Sequence, residues 1–260
     1  MAGDEVLYGV ADGVATVTIN RPDRRNSISW GVVEGIRQRV TQAKADPAVR
    51  VLVITGAGEK AFSAGADLSG MAAGASYLDL HEGRGQMAAL FLDLWSLGKP
   101  TIARVRGYAL AGGFGLALSC DFVICSSDSQ FGTPEIDVGL WPYMITVPLM
   151  RSMPPKKALE LMLTGRRVGP EEAERIGFVN RVVAVDELDA AVAELGAALA
   201  AKPPATMKLG RDSFYSVWDL AAREALAQLH PLLTITTMTD DAREGIAAFA
   251  EKRPPVWPGR

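Results

Sequence analysis

The strongest constraint on the fold is a rhythm. Short apolar runs, glycine-bearing loops and helical stripes recur at roughly 40–50-residue intervals, the pattern of a mixed α/β architecture. Val49 to Thr55 predicts a buried strand ending in the loop Gly56-Ala57-Gly58-Glu59-Lys60. Met87, Leu90, Phe91, Leu94 and Trp95 fall on one helical face, closed by Gly98 and Pro100. Thr101 to Arg106 predicts the next strand, small residues fill Gly107 to Cys120, and Phe122 to Cys125 predicts strand again. Upstream, residues 6–20 alternate about Asp12-Gly13 as a hairpin does, and a helix follows with Ser29 as N-cap and Val33, Ile36 and Val40 on one face. From about Asp186 the pattern changes to Ala/Leu-rich helical stretches (186–201, about 213–229 and about 240–252), broken at Lys202-Pro203-Pro204 and at Pro231. This predicts an α/β core over 1–195 and a helical oligomerisation region over 196–260.

Composition narrows the function. In 260 residues, 48% are hydrophobic and 22% charged, ample for a packed core, and the formal net charge is −3. Nucleic-acid binding would need a basic face, so no such partner is expected. No apolar run approaches the roughly 18 residues of a membrane span, and Met1 to Glu5 carries acid where a targeting signal carries base. A cytoplasmic protein without membrane contact is expected. Cys120 and Cys125 are too few for a disulfide framework or a four-cysteine metal site and are expected as buried hydrophobes. The two histidines, His81 and His230, lie apart, and Ser63 has Ala61 where a GxSxG elbow needs glycine. Neither a Ser-His-Asp hydrolase nor a metal site follows, leaving carboxylates, backbone groups or a cofactor to do the chemistry.

Three segments carry chemical potential. Residues 61–68, Ala-Phe-Ser-Ala-Gly-Ala-Asp-Leu, follow a strand, and small side chains there let a ligand approach main-chain N–H groups. An ordinary strand-to-helix loop would look the same. Gly107 to Gly115 also follows a strand; Leu118 stands where a dinucleotide fingerprint needs its third glycine, so close ligand approach or tight helix packing explains these glycines better. Glu135 follows Pro134 amid apolar residues, where burial would raise its pKa, although a helix-capping or ion-paired glutamate fits the local sequence too. Together, two donor loops and one proton-moving carboxylate suit enolate formation beside a thioester carbonyl.

These segments resemble the crotonase, or enoyl-CoA hydratase/isomerase, superfamily. The resemblance rests on Asn20-Arg21-Pro22 with Asn26, residues 60–68, Gly107 to Gly113, Cys120-Asp121, Phe131 to Glu135, Leu163-Thr164-Gly165, Glu172-Ala173, Gly177-Phe178-Val179 and Phe249 to Arg253, in order along the chain. It implies a spiral of ββα repeats with a helical trimerisation region, assembled as a homotrimer or dimer of trimers. It implies that the N–H groups of Ala66 and Gly112 hold the thioester oxygen of an acyl-CoA, with Glu135 as acid/base. CoA, part of the substrate and the only cofactor-like group expected, would run along Ala64, Asp67 and Leu68. Its phosphates would lie near Arg24 and Arg25, with Phe249 and Lys252 contributed near the C-terminus.

Two departures bear on the reaction. Family hydratases hold a water between two glutamates, and the first of these falls on Gly115, while the second is Glu135. The glycine-rich turn that helps seat that water reads Pro142-Tyr143-Met144-Ile145. One carboxylate suffices to carry a proton from C2 to C4 of a 3-enoyl thioester, so Δ3-Δ2 isomerisation is favoured over 2-enoyl-CoA hydration. A non-catalytic acyl-CoA-binding trimer is the alternative of another class. Asp137 could act as second acid if its stretch is extended. Met71, Met87, Leu90, Trp141 and Tyr143 are candidate pocket walls or plain core.

Overall fold

A computed structural model describes residues 4–67 and 76–260. Strands β1 (Val6–Ala11) and β2 (Val14–Ile19) pair antiparallel from Val6↔Ile19 to Ala11↔Val14. Asp12 and Gly13 have φ of 50° and 77°, the left-handed pair that a two-residue hairpin turn requires. A 3-10 turn over Pro22–Arg24 leads to α1 (Trp30–Ala45), where Ser29 Oγ accepts the Val32 N–H at 3.1 Å. Strands β3 (Val51–Gly56) and β4 (Ala61–Ser63) precede α2 (Tyr77–Trp95). The motif then repeats: β5 (Thr101–Val105), β6 (Tyr108–Leu110) and α3 (Gly112–Leu118); next β7 (Phe122–Ser126), β8 (Gln130–Gly132), a 3-10 turn over Pro134–Val138 and α4 (Thr146–Ser152). Helix α5 (Pro155–Thr164), β9 (Arg167–Val168), α6 (Pro170–Ile176) and β10 (Arg181–Val183) complete the sheets. Helices α7 (Leu188–Ala200), α8 (Pro204–Val217), α9 (Ala222–Thr237) and α10 (Asp240–Glu251) follow.

Each repeat sends one strand to each of two sheets. The larger has the order β1-β2-β3-β5-β7-β10 and is parallel beyond the hairpin; the smaller has the order β4-β6-β8-β9. That is the ββα spiral expected. All six residues of β3 are buried because both faces of the large sheet are covered, which is why the strand is a continuous apolar run. Leu52 and Ile54 face the main core with α1 and α2, while Val51, Val53, Ile102 and Ile124 pack under Leu188, Ala191 and Val192 of α7. The 195/196 boundary therefore falls inside a helix that covers the sheet.

The C-terminal helices differ from expectation in two places. The stretch about 213–229 is not one helix: α8 ends at Val217, α9 begins at Ala222, and Trp218 turns back to meet Phe214 at 4.9 Å between ring centroids. Pro231 does not break the chain but lies within α9. The carbonyl that its missing N–H leaves without a partner belongs to Ala227, an exposed residue, so water can take the donor's place. A buried cluster fastens α8 to the core. Arg211 pairs with Asp121 at 2.8 Å and donates to the carbonyls of Leu94 and Trp95 at the end of α2. Asp121 also accepts the Thr101 N–H and the Tyr215 hydroxyl. Cys120 and Cys125 are buried free thiols, and burial pushes Cys125 up to about 12. No described helix is long and apolar enough to cross a membrane.

Candidate active site

The site is assembled by two backbones pressed together. Asn26 is buried with φ 54°, and its side chain donates to the carbonyls of Ala57 and Ala61 while accepting the Arg21 N–H. This pins the turn after β2 against the start of β4. Ile28 and Ala66 then form a parallel bridge: the Ile28 N–H donates to Gly65 at 2.8 Å and the Asp67 N–H donates to Ile28 at 3.0 Å. Because backbone groups alternate along an extended chain, the Ala66 N–H faces the other way. Gly65 has φ 93°, and a Cβ there would stand 2.5 Å from Ala111 Cβ and 3.0 Å from the Leu110 carbonyl oxygen. Only glycine lets the 63–67 segment lie this close to residues 110–112.

On the other side, β6 turns into α3 at Ala111, which adopts φ 50°, ψ −128°. Such a conformation costs an alanine on the order of 1–3 kcal/mol. It makes Gly112 the first residue of the helix, where an N–H has no intrahelical acceptor. Gly113 keeps the helix against β4, since a Cβ there would lie 2.6 Å from the Ser63 Cβ and carbonyl oxygen.

Ala66, Asp67, Gly112 and Glu135 line one cavity of about 360 Å³. Its other walls are mainly apolar and come from α1, α2 and residues 140–145, with Trp30, Met87, Trp141 and Tyr143 prominent. Glu135 rides the 3-10 turn over Pro134–Val138, and its Oε2 is buried with no hydrogen-bond partner among the described residues. Burial pushes its carboxyl above the ordinary 4.5, as expected for an acid whose charged form lacks solvation. Asp67 is a different kind of acid. It is held by Arg21 at 2.7 Å and Arg24 at 3.4 Å.

The position of the absent second glutamate is filled. A Cβ on Gly115 would lie 2.2 Å from Ile145 Cγ2, 2.7 Å from Ile145 Cβ and 3.3 Å from Phe91 Cζ. Ile145 and Phe91 are both buried, so this side of the cavity is closed by hydrocarbon.

The expected residues divide clearly. Ala66, Gly112, Glu135 and Asp67 share the cavity; Ala64 and Arg25 adjoin it through the Ala64 N–H to Arg25 carbonyl bond of 3.0 Å. Arg24 reaches the same edge through Asp67, but Phe249 is 87% exposed on α10, and neither it nor Lys252 lines this chain's cavity. Leu68 and Met71 lie outside the described residues. Leu90 is core, whereas Met87, Trp141 and Tyr143 are cavity walls. Asp137 is not a second acid of the site. Its stretch is a 3-10 turn, about 120° per residue, so the side chain two positions on from Glu135 does not share its direction. Asp137 Oδ2 instead lies beside Gly165, 2.9 Å from where a Cβ would stand. Sequence reasoning missed Trp30, Arg84 and Leu140 as walls, and placed Met144 and Ile145 in the turn beside the water site without assigning them to the cavity. Arg84 was open to discovery, because it stands three residues before Met87 and shares its helical face.

Two mainly parallel sheets wound as a ββα spiral, with one buried carboxylate in an apolar cavity that Ala66 and Gly112 also line, have the architecture of the crotonase fold. The enoyl-CoA hydratase/isomerase family model matches residues 9–260, and the chain belongs to that family of enzymes. Carnitinyl-CoA dehydratase of Escherichia coli K12 is 38% identical over 98% of this chain and 99% of its own length. An enoyl-CoA hydratase from Mycobacterium smegmatis superposes with a TM-score of 0.93 at 33% identity, over 97% of this chain and 98% of that one. One from Bacillus anthracis gives 0.93 at 31%, over 98% and 100%.

Proposed function

We propose that this chain moves a double bond along an acyl-CoA, from the 3,4 to the 2,3 position, through a thioester enolate. The N–H groups of Ala66 and Gly112 hold the thioester oxygen as charge develops on it. Glu135, with its raised pKa, takes the proton from C2; the C–H electrons form a C1–C2 double bond as the carbonyl π pair moves onto the thioester oxygen. When that pair returns, the C1–C2 pair becomes the C2–C3 double bond and the C3–C4 pair takes the proton back from Glu135 at C4. One carboxylate both removes and returns it. CoA runs along Ala64 to Leu68 with Arg24 and Arg25 at its phosphates.

One observation carries the choice of isomerisation. Ile145 and Phe91 occupy the space beside Gly115 where a second acid would have to stand. Among the described cavity residues, Glu135 is then the one carboxylate outside an ion pair. Hydration, or the reverse dehydration, is the second reading, and the dehydratase relatives at 38% identity favour it. Residues 196–260 are proposed to hold a homotrimer or dimer of trimers, with Phe249 and Lys252 completing a neighbour's CoA site. Helix α9 supports this: it buries none of its residues within the chain and exposes Leu226, Leu233 and Ile235.

Two substrates separate the readings. With a 3-enoyl-CoA, the conjugated-thioester absorbance should rise with no change in mass; with a 2-enoyl-CoA, rapid loss of that absorbance and gain of one water would establish hydration instead. Glu135→Gln should abolish turnover and leave CoA-ester binding nearly unchanged. Binding without turnover of either substrate would leave the non-catalytic acyl-CoA-binding trimer.

A further inference from the structure

One charged side chain on the cavity wall has no partner among the described residues. Two acids and one cation stand on its walls: Asp67, Glu135 and Arg84. Asp67 is committed to Arg21 and Arg24, and the buried Glu135 is biased toward its neutral form. Among the described residues, Arg84 has neither a hydrogen-bond nor an ion-pair partner. Arg84 is solvent-exposed, yet the cavity wall it stands on is otherwise mostly hydrocarbon and aromatic rings, so its fork of donors is open to a ligand in the cavity.

Its surroundings give it a direction. Gly83, the preceding residue, seats the Trp30 indole against α2, since a Cβ there would lie 2.9 Å from Trp30 Cε2. Met87, one helical turn further on, reaches toward the donor at Gly112, where a Cβ would stand 3.6 Å from Met87 Cε. Arg84 therefore stands about one turn of α2, roughly 5 Å of helix, beyond the side chain that abuts the oxyanion donor. A short acyl chain leaving the thioester past Met87 would bring its far end toward the guanidinium.

We infer that Arg84 selects acyl-CoA substrates whose acyl chain ends in a carboxylate, pairing with that anion at the far wall of the cavity. The inference rests on the acyl-CoA reading above. A guanidinium presents parallel N–H donors that match a carboxylate, and such charge-assisted pairs exceed neutral ones in strength. The same cation repels an acyl chain ending in a positive group, so selection is by attraction and by exclusion. A CoA phosphate is the other anion that this ligand could offer, and the test separates the two.

Calorimetric titration with glutaryl-CoA and pentanoyl-CoA, equal in acyl carbon count, reads the terminal carboxylate alone. Wild type should bind glutaryl-CoA at least about tenfold more tightly, the equivalent of about 1.4 kcal/mol. Arg84→Met should bring that ratio to about one, and Arg84→Lys should keep part of it. An acyl-CoA ending in trimethylammonium should bind wild type less tightly than pentanoyl-CoA and recover in Arg84→Met. Equal affinity of wild type for glutaryl- and pentanoyl-CoA would overturn the inference. So would an Arg84→Met variant that loses affinity for both by one factor, which would assign Arg84 to the CoA phosphates. Failure of both esters to bind would instead strike the acyl-CoA reading itself.

Discussion

The packing at Gly115 makes a quantitative demand. Carbon atoms in contact normally stand about 3.5–4.0 Å apart. A methyl on residue 115 would lie 2.2 Å from Ile145 Cγ2 and 2.7 Å from Ile145 Cβ, so Ile145 would have to retreat by more than an ångström. It has little freedom to do so, being buried and placed at the N-cap of α4. Gly115→Ala should therefore cost about 1–3 kcal/mol, toward the upper end. At about 2–4 °C per kcal/mol for a chain of this size, the midpoint should fall by roughly 2–12 °C. Ile145→Gly removes both offending atoms and should cost at least about 2–5 kcal/mol alone through the cavity it leaves. The double variant should be less destabilised than the sum of the two by at least about 1 kcal/mol, measured by denaturant titration. Additivity within about 0.5 kcal/mol would refute the claim that Ile145 fills this position. Gly115→Glu placed on the Ile145→Gly background then asks whether a restored acid confers hydration of a 2-enoyl-CoA.

Three further outcomes are expected. Gly112→Pro deletes the N–H proposed as an oxyanion donor, at a first-turn position, and should lower the turnover rate at least about 10²-fold; Gly112→Ala, whose methyl meets only ordinary contacts, serves as the fold control by circular dichroism. The acid limb of the kcat/KM–pH profile should fall above the ordinary 4.5, because burial raises the Glu135 pKa and protonation removes the base. The same shift destabilises the folded chain as pH rises from the unfolded to the folded pKa, so Glu135→Gln should be more stable than wild type at neutral pH and not at pH 4. Arg211→Met should cost about 1–3 kcal/mol in denaturant titration by removing a buried donor and leaving the partly buried Asp121 without its ion-pair partner, and adding Asp121→Asn should recover part of that loss.

The residues that were legible in the sequence act locally. Asp12-Gly13 fixes a hairpin turn, Ser29 caps a helix, and β3 announces double-sided burial by its unbroken apolar run. Ala66, Gly112 and Glu135 fell into place through ordered motifs, and all three meet in the cavity. Strands β4, β6 and β8 have three residues each, too few to show a period, so the second sheet was hidden. The contact of Gly115 with Ile145 joins residues 30 apart in sequence and leaves no local trace. Asp137 failed because a 3-10 turn replaced the assumed extended stretch, and Pro231 because an exposed helix tolerates a carbonyl left to solvent.

Ala111 carries a consequence for how this chain can drift. Its backbone is strained, and glycine, one base change away in the code, would relieve that strain. Yet the alanine methyl is also what Gly65 must clear, with 2.5 Å between it and any Cβ there, so it spaces the two segments that carry the Ala66 and Gly112 donors. A more stable sequence therefore lies one mutation off, at the expense of a spacer. The strain belongs to the backbone itself, and with it the chain fixes the spacing of the Ala66 and Gly112 N–H groups.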